Sequence, residues 1–279
     1  MKRHFLRISS CGASVLVRSN NPEDIEKLIK SDFLYRYIPE VIIDQSGNKT
    51  DVILDLERGA SRIMLKYPRA EYRNKSVDVN DVLSLAEYLL ERARQSRGYY
   101  CMHGAAVEVG GRAIIFWGGA SGMGKTALAK YFSEQADCIW FADEKVVIDL
   151  KHSMVVGGVG SAYFNKGKKN VYDKLALRKK MELPIAMFVY PFVTSVPNEL
   201  SWDRWTSEKF DWHLFEEMNR KIRGTSRRVF SNIEPLPPLD NILLARKRNV
   251  LIGRLTKILP CYYAQGEAKA ITAAIRNNI

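Results

Sequence analysis

Residues 118–132 read GGASGMGKTALAKYF, and within them Gly119, Gly124, Lys125 and Thr126 satisfy the pattern G-x-x-x-x-G-K-[ST]. Few short patterns constrain a fold so tightly. Glycines let consecutive backbone amides turn toward one point without Cβ obstruction, and the resulting concavity suits phosphate oxygens. The device works at a strand-to-helix junction, because a helix N-terminus adds unpaired amides and the positive end of its dipole. Both flanks are present: apolar AIIFW precedes the loop and TALAKYFSEQ follows it. The pattern therefore predicts an α/β unit that binds a nucleoside triphosphate, and the flanks disfavour an ordinary glycine-rich turn. Gly119, Ala120, Ser121, Gly122, Met123 and Gly124 are expected to form the backbone cradle. Lys125 is expected at the β and γ phosphates, with the Thr126 hydroxyl on Mg²⁺.

A second stretch supplies acids. In CIWFADEKVVIDL, residues 138–150, the apolar run CIWFA predicts a buried strand that ends at Asp143–Glu144 before a second strand. Carboxylates at the end of a buried strand are costly unless something uses or pairs them. A pair with Lys145 is the bland alternative. Beside a triphosphate, the users are Mg²⁺ and the proton of an attacking hydroxyl. The acids follow Lys125 after only one helix, a short turn and a strand, sooner than most P-loop ATPases place theirs.

Taken together, HGAAVEVGGRAIIFWGGASGMGKTALAKYF and FADEKVVI resemble the HPr kinase/phosphorylase superfamily, whose fold is related to that of phosphoenolpyruvate carboxykinases. The family shows a histidine-glycine before two strands, a loop G-x-S-G-x-G-K-[ST], and a strand ending A-D-D-x-V. The counterparts here are His103-Gly104, Gly119 to Thr126, and Ala142 to Val146. The likeness spans about residues 100–150. It implies an α/β fold: a central mixed β-sheet P-loop kinase core of the HPr kinase/phosphoenolpyruvate carboxykinase type, with a smaller N-terminal α+β region. It further implies transfer of the γ-phosphoryl group of ATP to a hydroxyl. Asp143 would accept the acceptor's proton, Thr126 and Glu144 would hold Mg²⁺, Lys125 would hold the phosphates, and His103 would lie near Asp143 and orient it or the incoming group. The roles of Asp143 and Glu144 are interchangeable at this stage. Two departures stand out. Glu144 replaces the family's second aspartate, and the arginine-bearing downstream signature has no clear counterpart, with Arg178, Arg223, Arg227 and Arg228 only candidates. The phosphotransfer site is therefore carried over, but HPr as substrate is not.

Outside this core, residues 1–75 read as a small N-terminal region of short strands and one helix, and 76–98 as a connecting helix. Residues 99–279 read as the kinase-like domain. The helix expected within PEDIEKLIKSDFLYRYI opens on Pro22 and acids, and VIIDQSGNKTDVILDL predicts two strands joined at Ser46-Gly47-Asn48. SVDVNDVLSLAEYLLERARQSRG carries apolar residues at helical spacing and stops at Gly98. Gly110-Gly111 predicts a tight hairpin. GGVGSAYFNKG, 157–167, reads as a flexible loop, LPIAMFVYPFV as a buried strand, and DRWTSEKFDWHLFEEM as a helix.

Composition narrows the partners without choosing one. Lysine and arginine outnumber acids 43 to 31, giving +12, which favours polyanions such as nucleotides, nucleic acid or an acidic protein. No recognised nucleic-acid module accompanies the charge, so nucleic acid is not the favoured partner. The acceptor expected is a serine of a protein or peptide, or a small metabolite; an ATPase or regulatory nucleotide-binding role and a nucleic-acid-directed kinase or binder are the alternatives. The expectation is a cytoplasmic protein with no membrane partner, because no apolar run suits a signal peptide or a bilayer span. A homo-oligomer is admitted. Cys11, Cys101, Cys138 and Cys261 show no metal-ligand spacing and are expected as buried thiols.

Overall fold

Alternating apolar residues shape the first elements of the computed structural model, which describes residues 3–46, 49–118, 121–135, 137–166, 169–175, 182–195, 199–223, 226–230 and 232–279. Strands β1 (His4–Ser10) and β2 (Ala13–Ser19) pair antiparallel, burying Leu6, Ile8, Val15 and Val17 on one face. Helix α1 (Pro22–Ile29) begins with proline in its first turn, and the Asn21 side chain accepts the Glu23 N–H at 3.1 Å. The single helix expected here is two, because the chain breaks at Lys30–Ser31 before α2 (Asp32–Tyr37). Strands β3 (Ile42–Asp44), β4 (Val52–Arg58), β5 (Arg62–Lys66) and β6 (Arg69–Asn74) complete a six-stranded mixed sheet in the order β3-β1-β2-β4-β6-β5.

The hairpin predicted at Ser46-Gly47-Asn48 does not form as such. β3 pairs with β1 and β4 pairs with β2, so the two strands are not neighbours. Gly47 and Asn48 themselves lie outside the described residues. Helix α3 (Val79–Arg97) is capped as its sequence predicts. Asp78 accepts the amides of Asn80 and Asp81 at 2.8 and 3.1 Å, and Gly98 closes the helix at φ 94°.

Strands β7 (Tyr99–Val109) and β8 (Arg112–Trp117) form the predicted hairpin, with Gly110 and Gly111 both at positive φ, as a two-residue turn of this twist requires. After the glycine loop come α4 (Lys125–Ser133), β9 (Cys138–Asp149), β10 (Met154–Val159), β11 (Ser161–Lys166), β12 (Lys169–Lys174), β13 (Leu183–Val193), β14 (Ser201–Arg204) and α5 (Ser207–Asn219). A small hairpin of β15 (Ser226–Val229) and β16 (Asn232–Pro235) precedes α6 (Ile242–Ile258), β17 (Cys261–Gly266) and α7 (Ala268–Arg276). The stretch from Gly157 expected as a loop is strand in β10 and β11 as far as Lys166.

The larger sheet has seven strands in the order β10-β9-β7-β8-β13-β17-β14. It is mixed: β8, β13 and β17 run parallel, while β7–β8, β9–β10 and β14–β17 are antiparallel. Helices cover both faces, as a largely buried mixed sheet needs. Phe116 and Val189 pack with Leu128 and Phe132 of α4 and with Ile271 and Ile275 of α7. On the opposite face Trp117 and Phe188 pack with Phe210, Leu214 and Met218 of α5 and with Ile252 and Leu255 of α6. The architecture is therefore α/β with two mixed sheets.

The chain divides into two compact units, Met1–Tyr99 with Asn219–Ala245, and Tyr100–Met218 with Arg246–Ile279. The boundaries expected at 75/76 and 98/99 shift accordingly. Helix α3 is a core element of the first unit rather than a connector, with Val82, Leu85, Ala86 and Leu89 wholly buried against its sheet. Residues 219–245 join that unit because α3 binds them. The Tyr88 hydroxyl donates to the carbonyls of Ile222 and Pro237 at 3.0 and 2.9 Å, and Arg92 Nε donates to that of Leu239 at 2.8 Å. Ile222, Val229, Leu236 and Leu239 enter the same apolar core.

None of the four cysteines is in a disulfide; Cys101, Cys138 and Cys261 are buried and Cys11 is half-buried. Among the described residues no helix is long and apolar enough to cross a membrane.

Candidate functional site

The second unit places its glycine loop between the end of β8 and the start of α4. Gly124 is the N-cap of α4, at φ 92° and ψ 12°, a conformation that L side chains rarely adopt. It is also crowded, since a Cβ there would stand 2.4 Å from Val193 Cβ. The loop is tied to the end of β13 on the same side, where the Val193 N–H donates to the Met123 carbonyl at 3.0 Å. No side-chain hydrogen bond caps α4 and no acid sits in its first turn. A helix N-terminus of this kind, with the positive end of its dipole uncompensated by an acid of its own first turn, favours an anion.

Lys125 is buried, 7% exposed, and its ammonium donates to the Gly118 carbonyl at 3.0 Å. The aliphatic stem is therefore packed while the charge stays at the loop. From the same turn of α4, Thr126 Oγ1 donates to both carboxylate oxygens of Asp143 on β9, at 3.0 and 3.2 Å. Asp143 is 1% exposed.

The acids do not end a strand. Strand β9 runs through them to Asp149, and its ladder with β10 skips there: Asp143 opposes Val159, and the next pair is Val146 with Gly158. Glu144 and Lys145 form the resulting bulge, and Glu144 takes φ 61°. For a glutamate this left-handed backbone costs about 1–2 kcal/mol. Strain of that kind is held in place by its surroundings and concentrates at working sites. The bulge turns the Glu144 side chain outward, half exposed, while Asp143 stays buried.

His103, on β7, reaches the same place. Its Nδ1 lies 3.0 Å from the Glu144 carbonyl and 3.6 Å from the Glu144 carboxylate. A bond to a carbonyl requires the proton on Nδ1. The ring was expected beside Asp143; the contacts defined here are with Glu144.

Ser121, Gly122, Gly124, Lys125 and Thr126 from the loop side, and His103, Asp143 and Glu144 from the strands, line one cavity of about 390 Å³. Gly119 and Ala120 lie outside the described residues, as does Arg178. Met123 enters through its carbonyl bond to Val193. Arg223 belongs to the other compact unit, and so do Arg227 and Arg228.

Two residues that the sequence did not single out belong to the neighbourhood. Lys130 lines the cavity one helical turn beyond Thr126, a spacing that places both on one face of α4. Glu217 of α5 accepts the backbone N–H of His103 at 2.7 Å. Its signal was a carboxylate in register with the apolar stripe of Phe210, Leu214 and Met218.

The donor set suits a hard cation. Among the described residues no group of three or more His, Cys, Asp or Glu side chains is placed to hold a metal. The Thr126 hydroxyl and Asp143 carboxylate instead offer two oxygens, and Mg²⁺ takes few protein ligands when phosphate oxygens and water complete its shell. Cys138, at the start of β9, offers no thiolate: burial, reinforced by neighbouring Asp137, pushes its thiol up to about 11. No protein-family model matches this chain and no curated protein matches it, so the site is read from its residues and geometry.

Proposed function

We propose that the chain is a Mg²⁺-dependent phosphotransferase that moves the γ-phosphoryl group of ATP to a hydroxyl acceptor. The observation that carries this reading is the meeting of Thr126 and Asp143 at 3.0 Å on the cavity that the glycine loop also lines. An anion cradle and a carboxylate pair open onto one space, as phosphoryl transfer needs. The resemblance of residues 100–150 to HPr-kinase-type P-loop kinases supports the same reading.

In this reading, the α4 amides and Lys125 hold the β and γ phosphates. Thr126 Oγ1 and Asp143 would hold Mg²⁺, which when bound neutralises phosphate charge and aligns the phosphates. The geometry favours Asp143 for this role because it already shares the Thr126 hydroxyl, the inverse of the assignment that family likeness suggests. Glu144 then serves as base. It is the more exposed carboxylate, and His103 stands at its side. The acceptor O–H gives its proton to Glu144, the acceptor oxygen bonds to the γ phosphorus, and the bond to the bridging β–γ oxygen breaks to release ADP. Positioning and charge neutralisation supply most of the rate in such transfers.

The test is transfer of labelled γ-phosphate from ATP with Mg²⁺ into three pools: small metabolites, proteins and bulk RNA. Label in a metabolite or protein hydroxyl that disappears in Lys125→Ala supports the proposal. Release of free phosphate alone would make the protein an ATPase. Label in RNA would make nucleic acid its substrate.

A further inference from the structure

Glu217 lies far from the glycine loop in sequence, yet it is bonded to the residue beside the proposed base. Glu217 is 7% exposed on α5, in line with Phe210, Leu214 and Met218, which are all but fully buried. A carboxylate in such a layer is costly unless a specific contact uses it. One such contact is with the backbone N–H of His103, which donates to Glu217 Oε1 at 2.7 Å. The β7–β8 ladder runs from Val109 back to Gly104, one residue short of His103, and then β8 departs into the phosphate loop. Glu217 supplies an acceptor where that ladder stops. His103 in turn holds the Glu144 carbonyl at 3.0 Å, at the one left-handed residue of the β9 bulge.

We infer that Glu217 is a positioning residue, which fixes His103 and through it the Glu144 carboxylate at the angle needed to take the acceptor's proton. Glu217 is not among the residues that line the cavity, so it acts through His103 and not on nucleotide or acceptor. The inference rests on the phosphotransfer reading and extends it by one layer.

Three variants test it. Glu217→Asp keeps the charge but withdraws the carboxylate by one methylene, and should lower kcat on the order of 10-fold to 100-fold with KM for ATP unchanged, as a small misplacement near the chemistry does. Glu217→Gln keeps an acceptor oxygen at the original reach and should restore most of the rate. In a His103→Ala background, Glu217→Asp should cause no further loss, since residues acting in series are not additive. The imidazole ¹⁵N resonances of His103, read without nucleotide, should shift in Glu217→Asp and return in Glu217→Gln.

A full effect of Glu217→Asp in the absence of His103, an equal effect on KM, or an unmoved His103 resonance would each overturn the inference. If the wild-type protein transfers no phosphoryl group, the phosphotransfer reading itself fails and the catalytic role of Glu217 falls with it. Wild-type transfer with an unimpaired Glu217→Asp removes the inference alone.

Discussion

Thr126 and Asp143 stand on different elements, the first turn of α4 and the middle of β9, and the hydroxyl of one donates to the buried carboxylate of the other at 3.0 Å. This bond joins the N-terminal turn of a helix to the acid-bearing strand beside it. It also separates the two acids chemically: Asp143 is buried and paired with the loop, whereas Glu144 is turned out by the bulge.

Asp143→Asn should raise the Mg²⁺ concentration needed for nucleotide binding and abolish most turnover. Glu144→Gln should leave Mg²⁺-dependent ATP binding intact while kcat falls on the order of 10²–10⁴-fold, the range that a proton-transfer group supplies. Titration of ATP with and without Mg²⁺, beside steady-state rates, checks both. The opposite pattern would return the base to Asp143.

Lys125→Ala should reduce transfer on the order of 10²–10³-fold, the loss seen when one preorganised charge-stabilising donor is removed. Its ATP affinity should also weaken. Labelled-phosphate transfer and equilibrium binding separate the two effects.

Glu144→Gly should yield a protein that is more stable and inactive. Glycine adopts φ 61° without the Cβ penalty that glutamate bears, so urea unfolding of the second unit should shift up by about 1 kcal/mol. An unchanged or lowered midpoint would show that no strain is held at the bulge.

Gly124→Ala should cost both stability and nucleotide binding, because its Cβ would meet Val193 Cβ at 2.4 Å in a left-handed backbone. Thermal unfolding together with ATP titration reads this directly. Val193→Ala in the same protein removes the 2.5 Å contact with Cγ2 but keeps the Cβ that the new methyl meets, so it should recover little of the lost stability and none of the part due to φ.

The first unit should weaken in alkali. Burial lifts the Tyr72 hydroxyl from 10.0 to about 12, so the folded state holds a proton that the unfolded chain releases earlier. Stability is therefore full below pH 10, falls as pH rises from about 10 to 12, and levels off above. Urea unfolding across that window checks the slope, and Tyr72→Phe should flatten it.

What could be read from the sequence was local. The glycine spacing dictates a backbone turn within a few residues, and Lys125 and Thr126 follow from it without any tertiary information. Asp143 and Glu144 were visible as acids after an apolar run. Their different exposures were not, because the bulge that separates them arises from pairing with Gly158 and Val159 of β10. Glu217 escaped for a related reason: its partner His103 lies 114 residues away, and no local pattern announces so distant a contact. The hairpin proposed around Ser46–Asn48 failed because a turn signal sets where a chain reverses, not which strand it then joins. The domain boundary moved because residues 219–228 look like a solvated basic run, while Ile222 within them is wholly buried.

That last feature bears on how the protein is made. The core under α3 draws on Ile222, Val229, Leu236 and Leu239, so the first unit is unfinished until those residues too have left the ribosome. A truncated product ending at Tyr99 would carry bare leucines and a stranded Arg92 into solution. Expression of residues 1–99 alone should therefore give aggregates, whereas grafting 219–245 onto them through a short linker should give a soluble module.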